Sequence, residues 1–161
     1  MSTDQSEKNL LEKLADAIPG LKGYRDKEAR RDTDKRLREY IAGRIDGIRK
    51  NLEEVKRKMA AKGLDGLDQA DRLSQKLLKA SNSIRHASYG YTGFFDQVKI
   101  QEAELDRIYR HDLSLLSTVE TLEKSLVPSR TFEEGKEEWD QLIQSLEKGI
   151  EDRKNLFSGP E

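Results

Sequence analysis

Seven apolar side chains recur along one stretch of this sequence at Leu37, Ile41, Ile45, Ile48, Leu52, Val55 and Met59. The steps between them are four, four, three, four, three and four residues, which puts all seven on one stripe of an α-helix. No strand pattern accommodates that spacing, because strand side chains alternate with a period of two. The stripe is narrow and its flanks are charged, so the helix must be covered by other helices along its length. The rest of the chain repeats the theme. Leu10, Leu11, Leu14 and Ile18 form a short stripe behind Ser6, an N-cap residue, and Pro19-Gly20 ends it. Ala70, Leu73, Leu77, Ala80, Ile84 and Ala87 form another, after the break at Gly63-Leu64-Asp65-Gly66, with Asp65 or Asp68 as candidate cap. Leu105, Ile108, Leu115, Val119, Leu122 and Leu126 precede Pro128, and Trp139, Leu142, Ile143, Leu146 and Ile150 follow Thr131-Phe132-Glu133-Glu134. That last tetrapeptide has capping-box form, in which a threonine hydroxyl and a glutamate satisfy free N–H groups at a helix start.

The expectation is an all-α single domain spanning 1–161, an antiparallel up-down four-helix bundle of long helices with a short N-terminal helix. The main helices are expected at 25–62, 66–87, 97–127 and 131–157, the short one at 7–18, and disorder at 1–6. Short links between helices favour antiparallel neighbours. Two glycines, Gly43 and Gly47, lie roughly opposite the long apolar stripe. They either admit a closely approaching helix or are simply tolerated in water.

Composition narrows function by exclusion. There is no cysteine, so disulfide and thiolate chemistry are absent. No apolar run approaches the roughly 18 residues of a membrane-spanning helix. The N-terminus lacks a basic region followed by an apolar one, so a cytoplasmic setting is expected. Neither His86 nor His111 has glutamate three positions earlier, as the paired-metal sites of helical bundles require. No metal and no cofactor is expected, and no phosphate loop or nucleophile elbow marks an enzyme.

Three places could carry function. Tyr89, Tyr91, Phe94 and Phe95 form the one dense aromatic cluster, interrupted by Gly90 and Gly93. It reads either as a turn stapled by aromatics or as a surface for binding another protein, where aromatic contact area is effective. Charge is the second signal. Residues 22–58 hold fourteen Lys/Arg against eight Asp/Glu, whereas 96–161 hold nine against sixteen. Arg25, Lys27, Arg30, Arg31, Lys35 and Arg38 could meet an anion, but interleaved carboxylates at helical spacing favour a self-paired, solvated face over nucleic acid or lipid headgroups. Third, Asp112 falls where its helix expects an apolar residue. Either the stripe shifts through Leu113 and Leu116 and leaves Asp112 in water, which is the reading adopted, or the carboxylate is buried with Arg85 and His86 as partners.

Two blocks, Ile18-Pro19-Gly20 through Gly23-Tyr24 to Lys27-Glu28-Ala29-Arg30-Arg31, and Arg85-His86-Ala87 through Tyr89-Gly90-Tyr91 to Gly93-Phe94-Phe95-Asp96, carry a family likeness. The chain resembles a group of uncharacterised bacterial all-helical proteins. The resemblance implies a prokaryotic cytoplasmic setting and a helical fold, and no activity. The expected role is therefore a non-enzymatic interaction or assembly protein, whose partner is another protein or a second copy. The alternatives are an anion-binding module through 25–38 and a small-ligand site or enzyme at the aromatic end.

Overall fold

The computed structural model describes residues 12–18, 30–87 and 102–158, and every regular element among them is helical. A short helix α1 covers 12–17. Four longer ones follow: α2 (Arg30–Ala61), α3 (Leu67–Arg85), α4 (Glu102–Ser125) and α5 (Phe132–Ser158). The long stripe of α2 is buried throughout, from Leu37 to Met59. It forms a single core with Leu73, Leu77 and Ile84 of α3, Ile108, Val119 and Leu122 of α4, and Trp139, Ile143 and Leu146 of α5. Leu14 and Ile18, from α1 and the residue after it, are buried in the same core. Among the described residues no helix is long and apolar enough to cross a membrane.

The four long helices pack as two consecutive pairs. α2 packs on α3 and α4 on α5, while α3 lies against α5 and α2 against α4. Among the described residues α3 and α4, consecutive in the chain, do not touch. Both connecting turns sit at one end, where Lys58 Nζ donates to the Pro128 carbonyl at 2.9 Å and Asn51 Nδ2 donates to the Leu126 carbonyl at 3.3 Å. The first turns of α2 and α4 and the last turns of α3 and α5 therefore share the opposite end.

Backbone chemistry explains how each turn forms. After α2, the Leu64 N–H donates to the Met59 carbonyl at 3.0 Å and the Gly63 N–H to the Ala60 carbonyl at 3.2 Å. This paired closure requires a left-handed residue at Gly63, whose φ is +62°. Gly66, at φ +100°, takes the N-cap position of α3 without a side-chain cap. Neither Asp65 nor Asp68 caps this helix, because the chain enters it through a conformation that glycine adopts and a side-chain-bearing residue resists. At the start of α5 the expected threonine cap is present, with the Glu134 N–H donating to Thr131 Oγ1 at 3.2 Å.

Gly43 and Gly47 are exposed on α2, and a Cβ added at either meets nothing within 4 Å among the described residues. The closely approaching helix considered for them is not found there.

Candidate docking cleft at the paired turns

Asp112 is fully buried, contrary to the reading that left it in water. Its helix buries Ile108 and Leu115 on the original stripe, so the stripe does not shift away from it. The partner comes from the last helix. Arg153 Nε donates to Asp112 Oδ1 at 2.8 Å, and the same guanidinium donates to Asp34 Oδ1 at 2.5 Å. Arg38 Nε reaches Asp34 Oδ2 at 2.9 Å, and its Nη1 donates to the Arg85 carbonyl at 2.6 Å. Two carboxylates and two guanidiniums thus bind all four long helices at the end away from the turns. Arg85 instead pairs with Asp46 at 2.6 Å, and His86 is exposed, so the side chains of neither reach Asp112. Burial pushes the Asp112 carboxyl up, opposed by the charge of Arg153. Removing such charges from water costs several kcal/mol per ion, so this cluster is a latch that pays through geometry, not through net attraction alone.

One signal for the latch was present in the sequence. Asp34 lies three residues before Leu37, Asp112 four after Ile108, and Arg153 three after Ile150. Each is an ionisable residue in register with a buried stripe. His111 adds a second tie between α4 and α5, its Nε2 standing 2.7 Å from the Gly149 carbonyl oxygen.

The turn end is organised by aromatic and hydroxyl groups. Trp139 is buried, and its indole N–H donates to Ser125 Oγ at 2.9 Å. Ser125 Oγ in turn donates to Glu138 at 2.8 Å, and Arg130 Nη1 donates to both at 2.9 Å. The Arg130 guanidinium stands 5.8 Å over the Trp139 ring, a cation–π distance. Hydrogen bonds from Arg130 and then Ser125 hold the Glu138 carboxyl below its usual range. The Phe132 and Trp139 rings lie 6.2 Å apart, tilted by 54°.

Between the two turns opens a cleft of about 340 Å³. Val55, Met59, Leu64, Pro128 and Phe132 supply its apolar lining. Lys58, Lys62 and Arg130 supply cations, and Asp65 and Glu133 supply carboxylates. Leu64 and Leu67 are the exposed large hydrophobic residues of the described chain, at 49% and 36% exposure. Leu64 lines the cleft and Leu67 begins α3 beside it. Sequence reading missed this site because its two walls are more than sixty residues apart in the chain and neither turn carries a motif.

The other sequence candidates fall elsewhere. Tyr89, Tyr91, Phe94 and Phe95 lie outside the described residues, as do Arg25 and Lys27. Arg30 and Arg31 open α2 with side chains outside the described set, and Lys35 is exposed. Arg38 is committed to Asp34 and to backbone carbonyls, which removes it from an anion-binding face. Among the described residues no group of three or more His, Asp or Glu could hold a metal ion. Compared with family models, curated proteins and solved structures, the chain matches none.

Proposed function

We propose that this chain is a non-enzymatic helical interaction protein of the cytoplasm, an up-down antiparallel bundle that docks another protein at its paired turns. One observation carries the reading: Leu64, the most exposed large apolar side chain of the described residues, lines an apolar cleft, and Leu67, the other one, adjoins it around a shared shallow depression instead of lying elsewhere. Isolated surface leucines need no explanation, whereas apolar side chains grouped around a concavity mark contact surfaces. Part of Leu64 is explained by its contact role in closing α2, where the residue two past the cap packs back on the helix. Its remaining exposure, and that of Leu67, are not needed for that closure.

Photocrosslinking in the intact cell tests the proposal. A benzoylphenylalanine replacing Leu64 should form adducts with another polypeptide, while the same group replacing the exposed Gln144 of α5 should not. Equal adducts at both positions, or none at position 64, would remove the basis for docking at the turns.

A further inference from the structure

We infer that the cleft receives an acidic peptide segment of the partner, anchored by a large apolar side chain. The inference rests on the interaction reading and adds the chemistry of what is bound.

Size comes first. A volume of about 340 Å³ lies at the small end of the range for ligand sites, roughly 300–1,000 Å³. That admits one or two side chains and not the body of a helix. The apolar surface also continues beyond the cavity, over the outer side of Leu64 and on to Leu67. An occupant confined to the cavity would leave that surface wet. A peptide places an anchor inside and further apolar atoms along the rim.

Charge selects the sign. Arg130 is engaged by Glu138 at 2.9 Å, and Glu133 by Lys136 at 3.1 Å. What remains at the rim is Lys58 and Lys62 against Asp65, none of which has an ion pair among the described residues. Lys58 hydrogen-bonds the neutral Pro128 carbonyl, and Glu54, one turn earlier and itself paired with Arg57, attracts it without forming an ion pair with it, so much of its charge is left for the occupant. Carboxylates flanking the anchor would meet two cations for one repelling aspartate. The same arithmetic disfavours a second copy docking through this end by two-fold symmetry, which would oppose lysines to lysines.

Selection of short random peptides displayed on phage against the immobilised full chain decides the matter. The expected enrichment is of peptides carrying an aromatic or large aliphatic residue beside Asp or Glu. Their binding should disappear in Leu64→Glu and weaken by about tenfold in a Lys58→Ala, Lys62→Ala double variant, and it should fall with added salt. Circular dichroism of each variant, expected to be unchanged, separates lost binding from lost fold. Enrichment of basic or uncharged peptides that still require Leu64 would overturn the acidic preference and leave docking at the turns standing. Peptides that bind Leu64→Glu as well as the parent chain, or no enrichment, would overturn both.

Discussion

The two ends of this molecule are held together by opposite means. At the open end, where α2 and α4 begin and α3 and α5 finish, Arg153 joins Asp34 and Asp112 in a site from which water is excluded. At the turn end, Trp139, Phe132 and Met59 are packed by shape, and the polar groups form a partly exposed network around Ser125. A buried ionic site is unforgiving, because removing one member strands the others without water. A packed aromatic end with an exposed rim tolerates change in its outer residues and can present them to a partner. The contrast sets a rigid end against the end proposed for recognition.

The largest expected effect tests the latch. Arg153→Met should cost about 3–5 kcal/mol in urea unfolding, since it leaves two buried carboxylates without their shared cation. Replacing Asp34, Asp112 and Arg153 together by apolar residues should recover much of that loss. A cost for Arg153→Met below about 1 kcal/mol, the range of exposed pairs, would mean that the latch is effectively a surface ion pair and would erase the contrast.

Gly135→Ala probes the packed end. An added Cβ would lie 2.3 Å from the Trp139 ring, which must shift, at about 1–3 kcal/mol. Trp139 is the single tryptophan of the chain, so its fluorescence reports this end alone. A changed emission with a retained helical signal is the expected result.

Next in size are the exposed glycines. Gly43→Ala and Gly47→Ala should each stabilise by about 0.5–1 kcal/mol, because alanine lowers the entropy of the unfolded chain and meets no obstacle. Thermal unfolding of the pair, with additive gains, is the check. A loss would indicate that something packs on that face of α2. Comparable in size, Leu64→Glu should cost about 1 kcal/mol or less, through its half-buried position at the close of α2, while abolishing peptide capture, which separates recognition from folding.

Acid distinguishes the ends by sign. Glu138 is held low by Arg130 and Ser125, so its stabilisation is present above its unfolded value and is lost as pH falls through the lowered one. Asp112 is pushed up by burial against the pull of Arg153. Its contribution is complete below the unfolded value and declines as pH rises through the raised one. Measured as unfolding midpoint against pH, the advantage of the parent chain over Glu138→Gln should grow with pH. Its advantage over Asp112→Asn should shrink. Parallel slopes would show that the two carboxylates share one environment.

Much of the scaffold could be read from residue spacing alone. The three-and-four steps from Leu37 to Met59 are the buried stripe of α2, and Thr131 caps α5 as its spacing with Glu134 implies. Periodicity records which face of a helix is dry, and that is a local property. Pairing is not local. Asp112 was conspicuous as a misfit, yet its partner lies 41 residues on, in a different helix, and the third member is 119 residues from Arg153. A charged residue in register with a dry stripe announces that a partner exists without naming it. The cleft was harder still, since it consists of the space left where two separate turns meet.

The 119-residue span between Arg153 and Asp34 has a consequence for biosynthesis. A chain emerging from the ribosome presents Asp34 first, then Asp112, and the cation that they share only afterwards, in α5. Until that residue is made, any compact form of the nascent chain must bury Asp112 without its cation, with Asp34 held by Arg38 alone, or leave that end open to water. Completion of this fold is therefore expected to await synthesis of α5, and a transcript truncated before α5 should yield a polypeptide that degrades instead of one that is merely shorter.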